Sequence, residues 1–143
     1  MTFDLERFVV AQDADGTYAS ALAELRAGRK AGHWMWFVFP QVAGLGMSAT
    51  STRYAIASLD EARAYLAHPV LGARLVECAG ALAGLSGRSA DEILGPVDAM
   101  KLRSSMTLFA RAAPDESVFG EVLGRYFGGV ADERTDALLG RVV

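Results

Sequence analysis

Signals that start and stop helices recur along this chain at short spacings, and they constrain its fold more than any other feature. Ser58-Leu59-Asp60-Glu61 and Ser89-Ala90-Asp91-Glu92 both have the form of a capping box. In that motif the serine hydroxyl accepts from an amide of the first turn, and the glutamate reaches back to the serine's own amide. Pro69 suits the first position of a helix, with His68 near its cap. Gly95-Pro96 stops the helix that Ser89 begins, and Pro114 closes the one after it. Thr17 is a candidate cap near the N-terminus, and Gly28 is a candidate stop. Between these marks the apolar residues fall three and four apart, as on one face of a helix. Leu5, Phe8 and Val9 form one such set, and Tyr18, Ala21, Leu22 and Leu25 a second. A third runs through Val70, Leu71, Ala73, Leu75, Val76, Ala79 and Leu82. Residues 97–112 offer Met100, Leu102, Met106, Leu108 and Phe109 as core candidates, and 117–127 and 132–139 predict two last helices.

One segment escapes this scheme. His33-Trp34-Met35-Trp36-Phe37-Val38-Phe39-Pro40-Gln41 is too apolar to show a period, and its composition suits a buried strand or a buried helix. Pro40 ends either, and Gly44-Leu45-Gly46-Met47-Ser48 follows as a loop. The pattern therefore predicts an all-α fold: a single compact, irregular helix array over residues 1–143, with one aromatic-rich central segment. A chain of 143 residues buries roughly 70% of its unfolded surface, enough core to need no disulfide or metal staple. There is no internal repeat and no linker long enough to divide domains.

Charge and cysteine content narrow the function classes. The net charge is −3, and no extended basic cluster offers the counterion release that drives nucleic-acid binding. Arg26, Arg29 and Lys30 lie together, where cations favour a helix C-terminus. Cys78 is the one cysteine, so no internal disulfide forms, and its place in an apolar pattern predicts a buried, inert thiol. The acidic first residues do not resemble a signal peptide. The most apolar stretch, Val70 to Leu85, carries Arg74 and Glu77. The expectation is a cytoplasmic protein that binds neither membrane nor nucleic acid.

Three conventional chemical signals are weak. Gly44-Leu45-Gly46-Met47-Ser48-Ala49 matches a loose dinucleotide pattern, but no second strand appears at the right distance, so a tight turn is the expected role, with a loop that binds an anion through its backbone amides as the alternative. Two distant histidines and a remote cysteine make no metal site, and no motif names a cofactor. Lys101 lies near Ser104 and Ser105, but in the reverse of the familiar Ser-x-x-Lys order. Asp98 and Lys101, three apart on a helix, predict an ion pair.

Beyond these readings, the residues carry a resemblance. The run His33 to Gln41, followed by Gly44-Leu45-Gly46 and Ser48, is similar to the signature of the bacterial family called domain of unknown function 1810. Leu5-x-Arg7-Phe8, Ala11-Gln12, Ser51 with Tyr54-Ala55-Ile56, His68 to Leu75 and Asp98 to Phe109 extend it over nearly the whole chain. The resemblance implies a compact, mainly helical domain and brings no established catalytic residue. Some members bear the label "calpastatin-like". Protease inhibitors of that kind are disordered and repetitive, and this sequence is neither.

Polar residues inside apolar stretches supply the functional candidates. Buried polar groups destabilise a fold unless they pair, so they serve internal networks or a ligand. The expected role is binding or processing a polar or nucleotide-like small molecule. His33 would act as acid–base group and Lys101 would hold an anion. Trp36, Gln41, Ser48, Ser51, Tyr54, Asp98, Ser104 and Ser105 would line the site. The alternative is a non-catalytic protein-interaction module that presents an apolar patch.

Overall fold

The computed structural model describes residues 3–140. Helices run α1 Glu6–Asp13, α2 Thr17–Ala27, α3 Met35–Val38, α4 Ala49–Arg53, α5 Leu59–Ala67, α6 Leu71–Ala83, α7 Ala90–Leu94, α8 Pro96–Ala112, α9 Ser117–Phe127 and α10 Glu133–Leu138. A 3₁₀ turn, Ala14–Gly16, joins the first two. No strand forms among the described residues, so the all-α expectation holds. The nearest thing to a sheet is an isolated parallel bridge between Val42 and Ile56.

The caps explain most helix boundaries. The Ser58 and Ser89 side chains accept from the Glu61 and Glu92 amides, and the Ser89 box is closed in both directions. Gly28 ends α2 with φ +71°, a conformation glycine adopts without steric penalty. Pro96 begins α8, where the missing N–H costs nothing. Two boundaries differ from expectation. Thr17 is the first residue of α2 rather than its cap, and its hydroxyl donates to the Ala14 carbonyl. Pro69 precedes α6 instead of opening it. The His68 ring nitrogen Nδ1 accepts from the Val70 and Leu71 amides at 3.1 and 3.3 Å and does the capping. The close approach of α5 to α6 depends on Gly72, where a Cβ would lie 2.0 Å from the Leu66 carbonyl oxygen.

Helix α8 is the axis of the fold and packs against α5, α7, α9 and α10. Ring contacts cross the core from α1 through α5 and α8 to α9: Phe8–Tyr65 at 5.1 Å, Tyr65–Phe109 at 5.3 Å and Phe109–Phe119 at 5.8 Å. Each of these fully buried rings contributes on the order of 2–3 kcal/mol. The third apolar set is half core: Leu71, Leu75, Ala79 and Leu82 are buried, whereas Val70 and Ala73 are exposed. Met100 also departs from expectation. It is 71% exposed, because the 97–100–101–104 face of α8 looks away from the core that Leu102, Met106 and Phe109 fill.

The aromatic segment resolves as one helical turn followed by a bend. Trp34, Met35, Val38 and Phe39 are buried, while Trp36 and Phe37 remain partly open. Three hydrogen bonds to one Glu24 carboxylate oxygen tie its leading edge to α2: the Ala31 amide at 2.7 Å, the Gly32 amide at 2.9 Å and the Trp34 indole N–H at 2.9 Å. Burial works against ionisation of Glu24, but these donors and the nearby Lys30 charge outweigh it and hold its pKa below the usual value. Downstream, the Ile56 amide donates to the Gln41 carbonyl and the Ala43 amide to the Ile56 carbonyl, both at 2.8 Å.

Candidate functional site

Trp36 escapes the core because the single turn of α3 points its neighbours inward. It stands between two adjoining depressions. The larger is a groove of about 250 Å³ between the Gln41–Gly46 loop, the open face of α8 and the start of α10. Trp36, Gln41, Leu45, Val97, Met100, Lys101, Arg103, Ser104, Asp132 and Arg134 line it, with Gly46 at the loop. The smaller is a recess of about 90 Å³ walled by Trp36, Gln41, the Val42–Gly44 backbone, Gly46, Ser51, Thr52, Tyr54 and Ala55.

The groove is electropositive for a structural reason. Lys30 and Lys101 both reach Asp98, at 2.8 and 3.2 Å, and the three side chains are only 9%, 18% and 18% exposed. Lys30 also stands near the Glu24 carboxylate, so this cluster is balanced. The positive excess comes from the lining itself, where Lys101, Arg103 and Arg134 accompany one carboxylate, Asp132. The Lys101 Nζ lies 3.7 Å from the centre of the Trp36 ring. Burial alone would raise the pKa of Asp98, but hydrogen bonds and charge from Lys30 and Lys101 outweigh burial and lower it. Arg103 donates to the Val130 carbonyl at 2.9 Å and lies over Phe127. Arg134 is exposed at the rim. Asp132 is engaged as the cap of α10, accepting from the Thr135 amide and hydroxyl at 2.9 and 2.6 Å and from Ser104 at 3.3 Å.

Trp36, Gln41, Lys101 and Ser104 thus share the groove, Ser51 and Tyr54 the recess, and Asp98 stands behind Lys101. Ser48 supports this wall from below: its hydroxyl accepts from the Ser51 amide at 3.0 Å and caps α4. Two candidates lie elsewhere. His33 is exposed and lines neither depression. Ser105 is fully buried in α8, with a hydroxyl that finds no hydrogen-bond partner, and it does not face Lys101 across either space.

The Gly44-x-Gly46 pattern has a local explanation. Gly44 has φ +103°, and a Cβ on Gly46 would lie 2.7 Å from the Ser51 side chain. It is a turn packed on α4, in keeping with the expected role. The Arg26–Arg29–Lys30 cluster also disperses: Arg26 pairs with Glu77 at 3.7 Å, and Lys30 turns inward to Asp98. Cys78 is buried, and burial pushes its thiol pKa up to about 12. No group of three or more metal-ligating side chains forms among the described residues.

Sequence reasoning missed Lys30, Met100, Arg103, Asp132 and Arg134 as part of this site. Only the Asp98–Lys101 spacing hinted at the charged cluster. The others meet it through the packing of α7, α8 and α10, which leaves no periodic trace.

The chain belongs to the family described as "Protein of unknown function (DUF1810)", which it matches over residues 2–139. It is similar to the conserved hypothetical protein Rv1873 from Mycobacterium tuberculosis, known from a crystal structure. The two share 56% identity over 98% of this chain and 99% of that one, with a TM-score of 0.93. No curated protein matches the chain. No helix among the described residues is long and apolar enough to cross a membrane.

Proposed function

We propose that this protein binds a small anionic ligand in the groove beside Trp36, within the class of polar and nucleotide-like metabolites. The observation that carries this reading is a concave surface lined by Lys101, Arg103 and Arg134 against one carboxylate, Asp132, with Lys101 little exposed and backed by the Trp36 indole. A desolvated cation gains more from an anionic ligand than a solvated one does. Leu45, Val97 and Met100 give the same groove an apolar wall, the usual mix of a ligand site. Because His33 lies outside the groove, the role is binding, with no proton-transfer step assigned to it. The ligand would be met in the cytoplasm, where such metabolites are abundant.

A thermal-shift panel of nucleotides, sugar phosphates, pyrophosphate and inorganic phosphate tests this. A ligand at about 100 times its Kd adds roughly 2.7 kcal/mol, a rise on the order of several degrees. The expected result is a shift from at least one anion that Lys101→Met removes without altering the fold. If no anion gives a Lys101-dependent shift, the reading fails.

A second reading rests on a different observation. Met47 is 98% exposed, Met100 71% and Val97 66%, all on or beside the groove. Apolar side chains gathered around a cleft also suit contact with a protein partner. Trp34 counts against a docking role for the aromatic run as a whole, since it is only 1% exposed and serves the core. Concentration-dependent association that Met100→Lys abolishes would favour this alternative.

A further inference from the structure

The groove and the recess share one wall, formed by Trp36, Gln41 and Gly46. The two sides of that wall differ in chemistry. Three cations, Lys101, Arg103 and Arg134, and one carboxylate, Asp132, line the groove. The recess side has no charged residue and offers neutral hydrogen-bonding groups. Among the described residues, the Trp36 indole N–H, the Gln41 amide and the Tyr54 hydroxyl form no hydrogen bond. The serine hydroxyls nearby are already engaged: Ser51 donates to the Ser48 carbonyl at 2.9 Å, and Ser48 to the Ser51 hydroxyl at 3.1 Å.

Gln41 is the centre of this arrangement. Its backbone is fixed on one side by Pro40 and on the other by the hydrogen bond from Ile56, so its amide is presented from a rigid position. A primary amide places a donor beside an acceptor, which matches the donor–acceptor edge of a heteroaromatic base and is how glutamine reads adenine in nucleic acids. The Trp36 ring carries Lys101 at 3.7 Å, and Tyr54 packs against Phe8 and Phe37 with Arg53 over its ring, so these two residues offer their indole N–H and phenol hydroxyl rather than a stacking face. Gly46, part of the shared wall, packs so closely on α4 that a Cβ there would lie 2.7 Å from the Ser51 side chain.

Resting on the anion-binding reading above, we propose that the ligand is a mononucleotide. Its base enters the recess, where Gln41 reads its edge, and its phosphate lies in the groove near Lys101 and Arg134. A planar hydrogen-bonding group joined by a short linker to an anion is the chemistry that the two sides of this wall complement. The groove, about 250 Å³, and the adjoining recess, about 90 Å³, together reach only the small end of ligand sites, which suits one nucleotide better than two.

Calorimetric titration of the whole chain with AMP, GMP, CMP, UMP, ribose 5-phosphate and inorganic phosphate tests the proposal. At least one mononucleotide should bind about tenfold or more tighter than ribose 5-phosphate, since a site built to pair polar groups rejects a ligand that lacks them. The same nucleotide should change Trp36 fluorescence, and ribose 5-phosphate should not. Gln41→Leu should bring the nucleotide down to within about threefold of ribose 5-phosphate measured on the same variant. Circular dichroism checks that each variant is folded. If ribose 5-phosphate binds as tightly as every nucleotide, or if Gln41→Leu keeps the preference, the mononucleotide assignment is wrong while anion binding stands. If nothing in the series binds, both fall together.

Discussion

Gln12 and Gln41 are both glutamines set among apolar residues, and they meet opposite fates. Gln12 is 1% exposed, and its whole amide is used: it donates to the Phe37 carbonyl at 2.8 Å and the Tyr65 hydroxyl at 3.2 Å, and accepts from Arg74 at 3.2 Å. Arg74 in turn pairs with Asp13 at 2.8 Å. Close by, Arg7 donates to Glu61 at 3.0 Å and to the Arg53 and Ala55 carbonyls, each at 2.8 Å, and the Ala57 amide donates to Glu61 at 2.7 Å. At this end of the molecule the polar groups satisfy one another and staple α1 to α5 and α6. Around Gln41 the backbone is satisfied and the side-chain groups are not. A buried polar residue is therefore no sign of function by itself. The informative feature is polar capacity that a fixed framework holds unused beside a cavity.

The contrast breaks most readily at Arg7. Its partner Glu61 is 4% exposed at the side chain, so Arg7→Met strands a buried carboxylate. The loss should be about 3–5 kcal/mol, a fall in Tm on the order of 10 °C. Chemical denaturation measures it, and a change below about 1 kcal/mol would remove the structural role assigned to this end. Gln12→Leu should cost less, about 1–3 kcal/mol, because it leaves the Phe37 carbonyl and the Tyr65 hydroxyl without their shared donor. Arg74 keeps Asp13 and limits the damage.

Gln41→Leu sharpens the comparison from the other side. No internal hydrogen bond is lost, so stability should stay within about 0.5 kcal/mol of the parent. The same chemical change at two positions would then separate framework from binding surface. Equal destabilisation at both would mean that the groove, too, is held together by its polar groups.

The sequence disclosed the parts of this fold that local chemistry decides. Capping serines, the Gly28 stop and Pro96 act over three or four residues, and the helices they bound form where they predict. The aromatic segment could not be assigned, because α3 is one turn long and the bridge that follows it depends on Ile56, far along the chain. Met100 was legible as apolar but not as exposed. On α8 the core face and the groove face are both partly apolar, and only the positions of Trp36 and α10 distinguish them. The candidate site was legible in the same uneven way. Trp36 and Gln41 were marked by the density of aromatic residues around Pro40, and Asp98 with Lys101 by helical spacing. His33 was marked by sequence proximity to Trp36, which a turn of backbone separates from proximity in space. Lys30 pairs with Asp98 across a gap that no spacing rule covers.

Asp98 tests whether the charge cluster behind the groove is as strongly coupled as its geometry implies. Its pKa is lowered by two lysines despite burial. A carboxylate with a depressed folded-state pKa contributes stability above its unfolded value, near 4, and loses that contribution as pH falls through the folded value. Asp98→Asn removes the charge at every pH. The difference in denaturation midpoint between parent and variant should therefore be flat from about pH 5 to 8 and narrow as pH drops below about 4. High salt should shrink the gap only slightly, because side chains 9–18% exposed are poorly screened. A gap that salt abolishes, or that does not narrow in acid, would make Lys30–Asp98–Lys101 an ordinary surface cluster.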